Sequence, residues 1–269
     1  MTTLLLWLDA LPALLALGGL AWVVATLRRN AGLVDIFWSL FFLTGALIYA
    51  ADSPQGGTRS LLVVALVAAW SLRLAIHLAL RNWRAPEDHR YAAIRARNSP
   101  GFAWKSLYLV FGLQALLAWL ISAPLAAAMA QPAGIGPLDL AGAALALFGL
   151  VFEATADAQL ARFRADPANA GQVLDRGLWR LTRHPNYFGE FCVWWGLFLP
   201  ALAAGAWWTV FAPLLMSLLL LRVSGVSLLE QDIGARRPAY REYMRTTNAF
   251  FPGWRRGSGR SGPTTRSPG

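Results

Sequence analysis

Seven long apolar segments constrain the fold of this 269-residue sequence more than any other feature. An α-helix needs about 20 apolar residues to cross a bilayer. The sequence predicts such helices at residues 3–27, 32–51, 61–81, 104–123, 138–158, 187–203 and 206–228. The predicted fold class is therefore an all-α integral membrane protein, a bundle of seven transmembrane helices. We expect one membrane domain over residues 1–254, followed by a disordered basic tail at 255–269.

Composition excludes the other broad classes. Hydrophobic residues make up 57% of the chain and charged residues 14%, against about 25% charged in an average soluble domain. The single cysteine, Cys192, excludes an intramolecular disulfide, and three widely separated histidines make a metal site unfavourable. We therefore expect no bound metal.

The basic residues predict the orientation. The net charge is +10, and 19 Arg side chains fall in the loops and the tail on one side of the predicted bundle, whereas only Arg59 falls in the loops on the other side. Cytoplasmic loops carry the excess of Lys and Arg, so we expect the N-terminus outside and the C-terminus in the cytoplasm. Because the charges are divided among short loops, nucleic acid is not an expected partner; membrane lipids are.

Charged side chains inside the predicted spans are the first candidates for function, because they are costly in lipid. The candidates among them are Asp35, Arg73, Glu153, Asp157, Glu190 and Arg222. The alternative is that they pair with each other and only hold the bundle together. All six lie toward the predicted cytoplasmic half, near the basic loops, which favours a shared site.

Spacing in the C-terminal half predicts an anion site. Asn186, Glu190 and Trp194 recur every four residues and therefore share one helix face. Three arginines and a histidine lie between residues 176 and 184, just before that helix begins. A helix N-terminus beside several cations favours phosphate. The residues thus predict a polyanionic cofactor whose other end reaches into the bundle, without deciding whether it transfers hydride or methyl.

A resemblance to a known family favours hydride transfer over methyl transfer. The segment Arg183-His184-Pro185-Asn186-Tyr187-Phe188-Gly189-Glu190, followed by Trp194, resembles the C-terminal motif of the membrane steroid 5α-reductase superfamily, and most closely its bacterial branch. Sterol C14/C7 reductases belong to the same superfamily. Isoprenylcysteine carboxyl methyltransferases share part of the motif. The resemblance implies a seven-helix enzyme of the bacterial inner membrane.

The resemblance also implies roles for individual residues. NADPH would be the cofactor, bound by Arg73, Arg84, Asp157, Arg164, Arg176, Arg183, His184, Asn186, Tyr187, Glu190 and Trp194. Asp35 stands where the family has the carboxylate that recognises the substrate carbonyl, and Trp38 and Trp70 are expected to line the substrate site. The chain departs from the family at Trp70, where the family has a proton-donating Tyr, and at Val34, where it has Gln.

The resulting hypothesis is an NADPH-dependent reductase of an activated C=C bond in a lipophilic, steroid-like or isoprenoid-like enone. Asp35 would act as the catalytic acid, since an apolar surrounding favours its neutral form; alternatively, it is ionised and paired with Arg73. Two other functions stay open: an S-adenosylmethionine-dependent methyltransferase of a lipid or prenylated substrate, and a non-enzymatic lipid-binding protein.

Overall fold

The computed structural model describes residues 2–53, 57–223 and 238–254, and every regular element in these ranges is helical. Short 3₁₀ turns and π-helical turns connect or extend the α-helices. The α-helices, in chain order, are α1 (Thr3–Asp9), α2 (Leu11–Leu27), α3 (Val34–Asp52), α4 (Gly57–Asn82), α5 (His89–Arg97), α6 (Phe102–Ser106), α7 (Leu113–Ile121), α8 (Ala123–Met129), α9 (Pro137–Ala165), α10 (Pro185–Ala203), α11 (Phe211–Leu218) and α12 (Pro238–Thr246).

Within the described residues, five helical segments are long and apolar enough to cross a membrane, which indicates a multi-pass membrane protein. They are Thr3–Leu27, Ala31–Asp52, Gly57–Asn82, Phe102–Ile121 and Pro137–Ala165. These segments correspond to the first five predicted spans.

The last two predicted spans are not among these five segments. The span at 187–203 coincides with α10, which is not one of the five. The span at 206–228 contains only a shorter apolar helix, Trp207–Arg222, and residues 224–228 lie outside the described ranges, as does the predicted tail at 255–269. The seven-span count and the orientation stay predictions.

The chain divides into two compact units. Unit 1 comprises residues 1–150 and 190–218, and unit 2 comprises residues 151–189 and 219–269.

In unit 1, α3 and α4 are joined by two serines without exposed surface, which exchange hydrogen bonds. Ser39 donates to the Ser71 carbonyl at 3.0 Å, and Ser71 donates to the Ser39 carbonyl at 2.6 Å. Helices α9 and α10 meet at two glycines, since a Cβ on Gly142 would lie 2.6 Å from the Gly196 carbonyl oxygen.

A buried ion pair closes one end of unit 1. Arg59 near the start of α4 donates to both carboxylate oxygens of Asp139 in α9, at 2.8 and 3.1 Å. The Gly136 amide adds a third hydrogen bond to Asp139 at 2.9 Å. Arg59 is thus held near the start of α9, and this cation has a structural role.

Unit 2 is held together by the segment before α10 and the segment around α12. The Arg183 amide donates to the Asn248 carbonyl at 2.9 Å, and the Gly253 amide donates to the Leu181 carbonyl at 3.0 Å. Tyr243 on α12 donates to the Trp179 carbonyl at 2.5 Å. These bonds fix the chain just before the start of α10.

Candidate functional site

Asp35 lies in a polar cluster in the first turn of α3. The Tyr91 hydroxyl donates to Asp35 Oδ1 at 2.5 Å, and Arg90 Nη2 lies 3.2 Å from Asp35 Oδ2. The Asp35 and Arg90 side chains are 21% and 19% exposed, so both are partly buried. The prediction that an ionised Asp35 pairs with Arg73 is wrong, because its cation is Arg90 of α5.

Helix α5 carries Arg90 and Tyr91, and two carboxylates fix its position. Asp88 caps α5 by accepting from the Arg90 amide at 2.9 Å, and it also accepts from Arg90 Nε at 2.9 Å. Glu87 accepts from the Ala31 amide at 2.7 Å. Since Ala31 belongs to the 3₁₀ turn that leads into α3, Glu87 ties α5 to the start of the helix that bears Asp35.

A glutamine completes the cluster around the Tyr91 hydroxyl. Gln114 Nε2 donates to the Tyr91 oxygen at 3.2 Å. Gln114 lies in the first turn of α7, directly after a π-helical turn at Leu107–Gly112, and such turns are frequent at functional sites. The phenol is therefore oriented by one donor and one acceptor.

The charges of this cluster are set by its surroundings. Burial, and then the negative charge of Asp35, raise the pKa of Tyr91 well above its usual value. Burial lowers the pKa of Arg90, but the charge of Asp35 and the hydrogen bond to Asp88 raise it by more, so that the pKa lies above its usual value. At neutral pH, Tyr91 is thus a neutral hydrogen-bond donor and Arg90 is a cation.

Aromatic side chains cluster around the turns of α3 that follow Asp35. Phe42 meets Trp38 at 5.2 Å, Trp70 at 5.8 Å and Trp194 at 4.4 Å between ring centroids, and Trp70 meets Trp194 edge to face at 5.6 Å. Trp70 and Trp194 are at most 1% exposed. The buried indole Nε1 of Trp194 has no hydrogen-bond partner among the described residues. An unsatisfied buried donor of this kind is rare in proteins, and a bound acceptor group would satisfy it.

Unit 2 contains several of the predicted cofactor residues. Asn186 Nδ2 donates to Asp157 Oδ1 at 3.3 Å, which links α10 to α9. His184 and Tyr187 stack with a centroid distance of 5.7 Å and an interplanar angle of 3°. His184 and Asp157 are buried. The structure thus brings the Asn186 and Asp157 side chains together.

The predicted phosphate-binding arginines have different surroundings. Arg164 and Arg176 in unit 2 and Arg84 in unit 1 are exposed, so a ligand in solution can reach them. Arg73 is half-buried in α4. Arg183 is buried, and its Nη1 donates to the carbonyls of Met244 and Thr247 at 2.8 and 2.7 Å. Arg183 therefore braces the C-terminal end of α12, and its binding of phosphate stays a prediction.

The structure places the predicted residues in both units. Unit 1 contains Asp35, Trp38, Trp70, Arg73, Arg84, Glu190 and Trp194. Unit 2 contains Asp157, Arg164, Arg176, Arg183, His184, Asn186 and Tyr187. Within the described ranges, no group of three or more His, Cys, Asp or Glu side chains is arranged to hold a metal ion.

Sequence reasoning missed Arg90, Tyr91 and Gln114. Arg90 and Tyr91 lie in a loop, between predicted spans, where helical spacing gives no information about contacts with α3. One signal was present: Tyr91 follows an Asp at a helix start in the loop that directly succeeds the α4 span. Tyr91 thus supplies a phenol beside Asp35, at a place where the sequence alone predicted none.

Comparison with known proteins assigns the chain to a family. Residues 21–247 match the family described as "Protein of unknown function (DUF1295)", and the chain belongs to it. It is also similar to an uncharacterized protein of Schizosaccharomyces pombe, with 26% identity over 266 residues that cover 88% of this chain and 76% of that protein. No solved structure matches the chain.

Proposed function

We propose that this protein is an NADPH-dependent reductase of an activated C=C bond in a lipophilic, steroid-like or isoprenoid-like enone. The observation that carries the proposal is the cluster of Asp35, Tyr91 and Arg90, one helical turn from Trp38. The cluster combines a neutral acid, a carboxylate and a cation, and it adjoins an aromatic surface. Reduction of a conjugated ketone needs a positioned donor at the carbonyl oxygen, and this cluster can supply one.

The chemistry of the reaction defines what the chain must supply. NADPH, when bound, supplies a hydride to the β-carbon of the enone. Negative charge then develops on the carbonyl oxygen, and a positioned donor lowers the barrier by stabilising it. A proton, ultimately from water, completes the saturated ketone at the α-carbon. The chain therefore has to provide a donor at the carbonyl oxygen.

Tyr91 is the proposed donor. Its raised pKa keeps the phenol protonated at neutral pH, so that its hydroxyl can turn from Asp35 to a substrate oxygen. Gln114 holds the phenol oxygen from the other side at 3.2 Å, which limits how far that oxygen moves. Asp35 orients the hydroxyl, and Arg90 compensates the Asp35 charge at 3.2 Å. This assignment replaces Asp35 acting alone as the acid.

The aromatic residues of unit 1 suit a lipophilic substrate. Trp38 is half-buried on α3, one turn after Asp35, and Phe42 follows after a further turn. Trp70 and Trp194 close the cluster behind Phe42. We propose that Trp38 contacts the apolar body of the substrate, while the fully buried Trp70 supports the wall against which it rests. The Trp194 indole N–H is available to a bound acceptor group.

The proposed cofactor contacts in unit 2 are assigned by chemistry. Arg164 and Arg176 are exposed cations suited to phosphate oxygens. Asn186, held by Asp157 at 3.3 Å, presents an amide that can both donate and accept. The stacked pair of His184 and Tyr187 adds an aromatic surface beside it. We further propose the finer topology of seven spans, with the C-terminus in the cytoplasm of a bacterial cell, where NADPH is present.

Cofactor titration of the purified full-length protein tests this proposal. NADPH binding is followed by calorimetry in detergent, and S-adenosylmethionine is titrated in parallel. Arg164→Gln is expected to weaken NADPH binding about ten-fold or more, since a hydrogen bond to a charged group is worth roughly 1.5–3 kcal/mol. Arg162→Gln is the matched control, because Arg162 is also exposed near the end of α9 but does not belong to the proposed site.

Two results contradict the proposal. Saturable binding of S-adenosylmethionine without binding of NADPH indicates the methyltransferase. Binding of neither compound by a correctly folded protein indicates a non-enzymatic lipid-binding role.

A further inference from the structure

A sharp change from apolar to basic surface marks one end of unit 1. Leu27 and Leu80 are 79% and 84% exposed, and Arg28 and Arg81 follow them directly in sequence. Exposed leucines at the ends of membrane-spanning helices belong in hydrocarbon, so the arginines that follow them lie at the level of the lipid headgroups. Two separate helices, α2 and α4, therefore show the same boundary.

Several cations at this boundary have no ion-pair partner in the part of the chain that the structure describes. Arg28, Arg29, Arg81 and Lys105 form no salt bridge with any residue in the described ranges. We name these four residues the basic rim. Other cations of unit 1 are compensated: Arg59 by Asp139, and Arg95 by Glu87. The basic rim therefore carries positive charge that an external anion can compensate.

Indole rings are interleaved with the basic rim. The Arg28 guanidinium lies over the Trp83 ring at 4.8 Å, and its Nη2 donates to the Trp83 carbonyl at 2.8 Å. Trp104, next to Lys105, lies 5.1 Å from Trp22 of α2 between ring centroids. Trp83 and Trp104 are 44% and 70% exposed. Exposed indoles beside cations are typical of membrane–water interfaces.

We infer that the basic rim is a binding surface for anionic phospholipid headgroups. The phosphodiester and any further negative group accept hydrogen bonds from the guanidinium and ammonium groups. The glycerol region lies against the indoles of Trp83 and Trp104, and the acyl chains follow the exposed leucines. A phospholipid has both the anionic and the apolar part that this surface requires, whereas a soluble anion has only the first.

The test uses the full-length protein, purified in a neutral detergent and depleted of lipid. Its thermal unfolding is measured after addition of phosphatidylglycerol, phosphatidylcholine or inorganic phosphate at equal concentration. The basic-rim variant is Arg28→Gln/Arg81→Gln/Lys105→Gln. A charge-conserving variant, Arg28→Lys/Arg81→Lys/Lys105→Arg, is the control for folding and for loss of local contacts. None of these residues belongs to the proposed catalytic or cofactor residues.

The inference predicts a larger stabilisation by phosphatidylglycerol than by phosphatidylcholine, and none by inorganic phosphate. It also predicts that the apparent affinity for phosphatidylglycerol falls roughly five-fold per removed charge at low salt. The charge-conserving variant should retain the preference. Equal stabilisation of the wild-type protein by both lipids, an unchanged preference in the basic-rim variant, or an equal effect of inorganic phosphate would each overturn the inference.

Discussion

Substituting Asp35 and Tyr91, singly and together, measures the free-energy contribution of the hydrogen bond on which the proposed site depends. The Tyr91 hydroxyl lies 2.5 Å from Asp35 Oδ1, and Arg90 compensates the carboxylate. Tyr91→Phe removes the donor, and Asp35→Asn removes the charge while it keeps the shape. Because both single variants also disturb other contacts, only the coupling in the double-mutant cycle isolates this bond.

The expected coupling follows from the kind of acceptor. A hydrogen bond to a charged group contributes about 1.5–3 kcal/mol, and one between neutral groups about 0.5–1.5 kcal/mol. Since the side-chain amide in the Asp35→Asn variant would still accept a weaker bond, the cycle should report the difference, about 1–1.5 kcal/mol. That is close to a ten-fold change in the unfolding equilibrium constant.

The free energies of unfolding of the wild type, the two single variants and the double variant are measured by reversible unfolding in mixed micelles. A denaturing detergent is titrated in, and unfolding is followed by tryptophan fluorescence. A control cycle combines Asp35→Asn with Tyr49→Phe. Tyr49 also lies on α3, but its phenol is bonded to Ser122, so that pair should be additive within about 0.3–0.5 kcal/mol. A coupling between positions 35 and 91 that is no larger than this control would refute the assigned geometry.

Three further predictions rest on other contacts. Glu87→Gln should lower thermal stability at neutral pH, because the hydrogen bond from Arg95 lowers the pKa of Glu87 from 4.5. The stabilisation by ionised Glu87 is complete above the ordinary pKa and is lost as the pH falls through the lowered pKa, so the stabilities of wild type and variant should converge in acid. A stability difference that does not change with pH would contradict this role of Glu87. Asp139→Asn should lower the free energy of unfolding by about 3–5 kcal/mol, since it leaves the buried Arg59 without its carboxylate, and Arg59→Gln/Asp139→Asn should recover part of that loss in the same unfolding assay. Trp194→Phe should weaken NADPH binding several-fold in calorimetry, because it removes a buried donor that a bound acceptor group would satisfy; unchanged affinity would show that the indole N–H faces no ligand.

The apolar pattern predicts the helices well because burial in a bilayer imposes length and composition on each span separately. The first five spans need only local information, and the described part of the structure has five helices that meet the requirement. The same information places Asp35 within a span, where a carboxylate indicates function. It does not identify the partners of that carboxylate, which lie 55 and 56 residues away in the sequence.

Arg183 shows the second limit of sequence reasoning. A cation before a helix N-terminus predicts phosphate binding, and the sequence gives no sign of a further protein partner for this side chain. In the structure, the same guanidinium donates to carbonyls 61 and 64 residues later in the chain. Such a contact depends on how α12 packs in unit 2. Spacing along the sequence shows which residues share a helix face, but not which distant segment reaches that face.

Hydride transfer tests the central claim most directly. The full-length protein in lipid vesicles is incubated with NADPH deuterated at the transferable position and with conjugated steroid and isoprenoid ketones, and the products are analysed by mass spectrometry and NMR. The account predicts deuterium at the β-carbon of a saturated ketone with wild-type protein, and little or no product with Tyr91→Phe, which should still bind NADPH. Deuterium transfer at the wild-type rate by Tyr91→Phe would contradict the proposed donor, and transfer of a methyl group from S-adenosylmethionine with no deuterated product would contradict the reductase itself.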